Sequence, residues 1–492
     1  MIVLLLFLVP LIGGLLSFLI KNDRAVRSWS LLVSLVALFL SVASSTFLKS
    51  ADQLNFHAQW MGNLGSSFSL KLDGLSQVLT LLTAVSYPII LIATWKTEYR
   101  KSNNFFALML LTQAGLMGVF TATDALLFYF FWELALVPVY FLCSGWGHER
   151  RIPVTFKFFI YTFTASVVML VGLLYLYFQT PDHSFSMQSF YALKLPAATQ
   201  SWLFWLLFIA FAVKMPVFPF HTWQPDTYEQ SPTAATMVLS GIMVKMGLFG
   251  LIRWVWPIFP AAFHAWGDVT MSMAVVGVIY ASLIAIQQDD LKRLIAYSSI
   301  AHMGIMVMAT FSESAIGMQG VLMQMFNHGI NIIGLWVVVE LIERQFGTRK
   351  LSELGGLAQK APALATLLVI VALGNVALPL TNGFIGEFLM FNGIWSTNTA
   401  NAHRIIFTVV ALLSIILAAV YTLNMIKKVF FGNTNSLTET AHDAHLNERF
   451  ALGVLVILII ALGVYPQPLL NLGSGFVDSL SRNVNIANVM IK

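Results

Sequence analysis

The sequence predicts an all-α polytopic membrane protein of about 14 transmembrane helices, built as two inverted five-helix repeats in which helices 7 and 12 are broken. Three observations predict it. Of 492 residues, 58% are hydrophobic and only 10% charged, and mean hydropathy is +0.80; a water-soluble core has no room for that much apolar surface. Apolar windows of about 20 residues, the length a helix needs to cross a roughly 30 Å hydrocarbon layer, recur along the chain. Two of these windows are interrupted by proline and glycine near an ionisable residue, which hydrocarbon tolerates only around a polar cavity.

In chain order the spans are 2–20, 28–49 and 76–96, an N-terminal three-helix segment within 1–103. The first has no Lys or Arg before its apolar run and no clean small-residue cleavage site after it, so it reads as a retained span rather than a secretory leader. Spans 104–122, 125–146, 154–178, 201–223 and 232–256 make the first five-helix repeat, 104–256. Spans 269–287, 292–311, 316–341, 362–391 and 405–430 make the second, 269–430, and 450–471 is the final transmembrane helix. Short loops imply one membrane domain over 1–492.

Orientation follows from the basic residues, since positive loops stay cytoplasmic. One set of alternate loops carries eighteen Lys and Arg, among them Lys21, Arg100, Arg150, Lys292, Arg293, Arg344, Arg349, Lys350, Lys427 and Arg449. The opposite set carries seven: Lys49, Lys71, Lys194, Arg253, Arg404, Arg482 and Lys492. Both termini are therefore expected outside a bacterial inner membrane. Basic loops beside anionic lipid account for the net charge of +5 without nucleic acid.

Two lysines remain outside that tally, Lys214 and Lys245, both within spans. A Lys at mid-span costs about 2.5–3.5 kcal/mol on insertion scales, so it persists where it faces protein or water and has a role. Glu133, Glu387, His302 and His328 also lie within spans. Each has a plainer reading. Glu133 and Lys214 fit a structural ion pair, and each histidine fits a donor to a neighbouring helix carbonyl. Glu340 and Arg344, spaced i,i+4, read as a local pair. The 39 Phe and 13 Trp read mostly as lipid-facing surface and interfacial belt.

The interruptions lie in FAVKMPVFPFH, Phe211 to His221, and in NVALPLTNGFIGEF, Asn375 to Phe388. They fall in the seventh and twelfth spans, five apart, so the two broken helices cross in opposite directions, as inverted repeats require. Each break is expected to hold one ionisable residue, Lys214 or Glu387. Burial disfavours an ammonium and a nearby carboxylate restores it, so the proton on a buried lysine follows the position of its partner. A proton relay from Lys214, beside Glu133, through water to Lys245 and past His302 and His328 to Glu387 follows; hydrated gaps suffice.

The strings WELALVPVYF, FAVKMPVFPFHTWQPDTYEQSPTAATMVLSGIMVKMGLFG, LKRLIAYSSIAHMG and GFIGEF resemble the antiporter-like subunits of respiratory complex I, the proton-pumping NADH:quinone oxidoreductase, and most closely their M type. The resemblance covers nearly the whole chain. It implies that Glu133 and Lys214 are the coupled pair, Lys245 the central lysine, His302 and His328 connecting groups, and Glu387 the terminal residue. It also implies partner subunits, including L-type and N-type chains, with FMN and iron–sulfur clusters carried by partners. The L-type, N-type and Mrp-type relatives typically bear Lys in the twelfth helix, whereas this chain has Glu387. A sodium/proton antiporter subunit of the Mrp type and a hydrogenase membrane subunit are the alternatives. One departure stands out: Leu380 and Asn382–Gly383 occupy the region where a P-G-T turn is more usual.

Redox chemistry is not expected on this chain, and the resemblance implies a translocase subunit without its own cofactors or metal. Its single cysteine, Cys143, falls short of the four thiolates of an iron–sulfur cluster. No GxGxxG opens a helix after a strand. A stand-alone cation transporter and an inert spacer between membrane subunits are the rival roles.

Overall fold

The structure, a computed structural model, describes residues 1–47, 53–396 and 403–491; Lys49 and Lys492 lie outside them. Twelve described helices are long and apolar enough to cross a membrane. Two shorter apolar helices, Ile2–Ser17 and Pro362–Asn375, fall on the first and twelfth predicted spans. Short polar side chains set many helix starts: Asn22, Asp73, Asp124, Asp290 and Ser314 each accept a first-turn N–H. Asp124 also accepts the Ser67 N–H at 2.9 Å and the Ser66 hydroxyl at 2.8 Å. One carboxylate thus ties a transmembrane helix to an antiparallel hairpin, Asn55–Met61 with Ser66–Lys71.

That hairpin and an amphipathic helix, Gln467–Ile491, are absent from the sequence-based expectation. The helix buries Leu469, Gly473, Val477 and Leu480, which share one face at helical spacing. It is too polar on its other face to register as a span.

Burial sorts the bundle. The most hydrophobic 18-residue windows of Thr233–Ile258 and Ala315–Phe346 are 100% buried and that of Leu291–Phe311 94%, against 39% for Asp23–Thr46, Arg151–Gln179 and Arg404–Phe430. The three enclosed helices carry Lys245, His328 and His302, so these groups meet protein and not lipid. Much of the aromatic load goes inside as well, contrary to the lipid-facing expectation: Trp132, Trp223, Trp254 and Trp336 are fully buried. Phe128, Trp132, Phe211 and Trp254 form edge and tilted contacts there, filling the space around the seventh-span break.

Arg253, expected among the loop cations, is instead buried near the end of its helix. It grips Asp73 with two hydrogen bonds of 2.5 and 2.6 Å and packs between the Phe249 and Phe476 rings. Burial pushes the Asp73 carboxyl up, and the Arg253 guanidinium more than offsets this, holding it below its ordinary range. Arg253→Ala leaves that carboxylate without its partner and is expected to destabilise the fold by about 3–5 kcal/mol. A fall in the thermal midpoint of the assembled protein, partly restored by adding Asp73→Ala, is the readout.

Both predicted breaks are present. The seventh-span helix, Ala197–Lys214, ends at Lys214 rather than near residue 223, and helix resumes only at Gln224–Gln230. The Val217 N–H skips to the Ala212 carbonyl at 2.9 Å, and the Val213 carbonyl so released accepts the Trp223 indole N–H at 2.9 Å. In the twelfth span, Pro362–Asn375 stops and Asn382–Trp395 begins after a turn in which Ala377 and Leu380 adopt φ of +60° and +73°. Leu380 occupies this left-handed position where glycine was the expected residue, and it is 71% exposed. Leu380→Gly is expected to stabilise the protein by about 1 kcal/mol, since it removes the Cβ strain of the left-handed conformation. A higher thermal midpoint with unchanged turnover is the check.

Candidate functional site

Lys245 is the centre of the site. It lies between two π-helical turns, Leu239–Met243 and Leu251–Val255, within one buried helix, and such bulges free backbone carbonyls. The Val244 N–H reaches the Leu239 carbonyl, five residues back, at 3.2 Å. The Ser240 carbonyl is left without its α-helical donor, and the Lys245 amine donates to it at 2.9 Å. The second bond of Lys245 is to His328 Nδ1 at 2.8 Å. Its donor is whichever partner holds the proton, so one hydrogen bond serves both protonation states.

From His328 the row continues. The His302 ring centroid lies 5.5 Å from that of His328, and His302 Nδ1 lies 3.2 Å from Glu387 Oε1. All four residues are at most 5% exposed. Four of the six predicted groups therefore form one contiguous row, closer than the water-separated arrangement expected. Glu387 differs in placement from the expectation: it is the sixth residue of the helix after the break, not at the break itself.

Glu133 and Lys214 stand apart from that row, and among the described residues Glu133 Oε1 and the Lys214 amine both lack a hydrogen-bond partner, so they do not form the satisfied structural pair. Lys214 Nζ lies 5.6 Å from the Trp132 ring centroid and 6.0 Å from that of Phe158. It finds no hydrogen-bond acceptor among the described residues. The half-buried Glu133 carboxylate is within electrostatic reach of it. Gly247 brings the Lys245 helix onto this break, since a Cβ there would meet the Phe211 carbonyl oxygen at 2.5 Å and the Met215 N at 2.8 Å.

Sequence reasoning missed a carboxamide stripe. Gln324, Asn327 and Asn331 share one face of the Ala315–Phe346 helix with His328, at i, i+3, i+4 and i+7. Asn327 donates to the Asn382 carbonyl at 2.7 Å and Asn331 to the Gly374 carbonyl at 3.0 Å, across the twelfth-span break. The spacing was visible in QMFNHGIN; uncharged amides drew no notice beside a histidine. His221, buried in the seventh-span break against Phe218 and Tyr280, was missed too.

At the basic end of the bundle, Lys292 is fully buried rather than a free loop cation. It bonds Glu343 at 2.8 Å and His148 Nε2 at 3.1 Å. Arg349 links Glu343, Asp290 and Glu229 at 2.9, 2.5 and 3.2 Å. Burial and the neighbouring Lys292 charge keep the His148 imidazole below its ordinary range. Glu340 does not pair with Arg344 as spacing suggested: it accepts the Thr97 hydroxyl at 2.7 Å, and Arg344 pairs with Glu448.

Residues 122–414 match the family described as NADH:quinone oxidoreductase/Mrp antiporter, TM. The chain is 36% identical over 482 residues to NADH-quinone oxidoreductase subunit M of Rickettsia prowazekii, covering 96% of each chain. It is 34% identical to the F(420)H(2) dehydrogenase subunit M of Methanosarcina mazei, covering 95% of each. Among solved structures, a chain of respiratory complex I from Thermus thermophilus with bound NADH matches with a TM-score of 0.89 and 27% identity, over 98% of this chain and 100% of that one. With a buried Lys–His–His–Glu row and two broken helices in place, the chain belongs to the NADH:quinone oxidoreductase/Mrp antiporter transmembrane family, among its antiporter-like M subunits.

Proposed function

We propose that this chain carries protons across the membrane as the M-type arm subunit of a proton-translocating NADH:quinone oxidoreductase. The contiguous contacts Lys245–His328–His302–Glu387 carry this reading. Glu133 and Lys214 load the row: movement of the Glu133 carboxylate toward or away from Lys214 stabilises or releases its proton, which water passes to Lys245. Glu387 is the terminal group. The opposite crossing of the two broken helices supports an inverted pair of repeats, 104–256 and 269–430. The basic end is the cytoplasmic one, with both termini outside, and L-type and N-type chains are the neighbours. FMN and iron–sulfur clusters sit on partner subunits, which supply the redox energy.

The test is Glu133→Gln in the assembled complex in proteoliposomes. Loss of the opposite charge near Lys214 removes what favours its ammonium form, about 1.4 kcal/mol or more for a neighbouring carboxylate, and slows loading at least about tenfold. Quinone-linked proton uptake is expected to fall by that factor while assembly is unchanged. Normal uptake would favour the spacer role. Glu133-dependent proton flux through the isolated chain, driven by a sodium gradient, would favour a sodium/proton antiporter.

A further inference from the structure

The two buried lysines, Lys214 and Lys245, are held in different ways. Lys245 donates to the Ser240 carbonyl and bonds His328. Lys214 has neither kind of partner among the described residues, although it ends a helix at a break that frees backbone carbonyls. Each of those carbonyls is already taken: Phe211 accepts the Met215 N–H at 2.8 Å, Ala212 the Val217 N–H at 2.9 Å, and Val213 the Trp223 indole N–H at 2.9 Å. What the Lys214 amine meets instead is two aromatic faces, with Nζ 5.6 Å from the Trp132 centroid and 6.0 Å from that of Phe158. All three residues are at most 2% exposed.

Both rings are braced. Trp132 lies against Phe128 and Phe211, with centroids 5.6 Å apart in each case, and Phe158 lies 5.0 Å from Trp223, the residue that fixes the Val213 carbonyl. The Trp132 indole N–H finds no acceptor among the described residues, so this position presents a ring to its surroundings and not a donor. A cation within about 6 Å of a ring centroid is attracted to the negative ring face, most strongly by tryptophan and more so away from water. A buried ammonium with no acceptor is otherwise costly. Glu133 follows Trp132 directly on the same helix, about 100° around it, and its carboxylate is within electrostatic reach of Lys214. Ring and carboxylate therefore flank one amine, and rotation of the four-carbon lysine stem suffices to carry Nζ between them.

We propose that Trp132 and Phe158 form an aromatic cage that holds the Lys214 ammonium when the Glu133 carboxylate is withdrawn, and that Trp132 is the positioning residue of the loading step. The proton stays on Nζ throughout; only the group that faces it changes, from a carboxylate that binds it firmly to a ring that binds it loosely. An ammonium that left Glu133 for a purely aliphatic pocket would shed its proton at once, in either direction. The cage keeps the charge on Lys214 until the path to Lys245 is open, so the tryptophan sets how much of the loaded state survives the departure of Glu133. This deepens the relay reading, on which it rests for the proton that Lys214 carries.

The test varies the charge on the ring face at nearly constant size. In the assembled complex in proteoliposomes, Trp132 is replaced by mono-, di- and trifluorinated tryptophan, whose ring faces are progressively less negative. Quinone-linked proton uptake is expected to fall stepwise with each fluorine, by about fivefold over the series, with assembly unchanged. Trp132→Phe, a weaker ring, should fall between the parent and Trp132→Leu, which should lose at least about fivefold. A ring that only fills space would give the same uptake across the fluorinated series, and that result would overturn the cage even if Trp132→Leu fails to assemble. Lys214→Met separates the two readings. If it abolishes uptake while the fluorinated series stays flat, the relay stands and the cage alone fails; if it leaves uptake intact, the relay through Lys214 fails and the cage fails with it.

Discussion

Lys245→Met is expected to leave the complex assembled and to lower quinone-linked proton uptake by about 10²-fold or more, the range for loss of a positioned proton donor. Methionine matches the lysine stem in length, so packing in this fully buried helix changes little. What goes is the amine that bridges the Ser240 carbonyl and His328 Nδ1 at 2.9 and 2.8 Å. The π-helical turns on either side hold that amine in place, and the substituted chain has no other group to span the distance. His328 would then lose its hydrogen-bond partner in the row. Proton uptake by proteoliposomes, with the amount of assembled complex as control, measures the effect; uptake within twofold of the parent would contradict the central role of Lys245.

Glu387→Gln should follow closely. The substitution keeps the shape of the side chain and removes the carboxylate that faces His302 at 3.2 Å. An amide cannot take up the proton that His302 would hand on, so turnover is expected to stall with the row filled. The loss should again approach about 10²-fold. His302→Asn, which keeps one polar atom near both neighbours, should be milder. Equal losses from the two changes would mean that Glu387 acts only by placing His302.

Charge was the readable part of this sequence. Lys214, Lys245, Glu133 and Glu387 stood out because an ionisable side chain in an apolar window demands an explanation, and Pro216, Pro219 and Pro379 announced the breaks. Contacts between helices were not readable. Nothing in the spacing of Lys245 and His328, 83 residues apart, says that they touch. Arg253 and Lys292 looked like loop cations because burial near a helix end depends on partners from distant segments, Asp73 and Glu343. The i,i+4 pair of Glu340 and Arg344 lost to Thr97 and Glu448, whose approach only the tertiary fold creates. Leu380 shows the converse: the sequence marked an unusual turn, and the backbone there adopts the left-handed conformation despite the side chain.

The account depends on protons crossing from Lys214 to Lys245, and the Lys214 amine has no hydrogen-bonded side chain among the described residues to start that path. A map of the assembled complex at a resolution that shows ordered water tests this most directly. Waters at hydrogen-bond spacing should run from the Lys214 amine, past the Gly247 contact with the broken helix, to the Lys245 amine. Apolar side chains packed without water across that interval would contradict it.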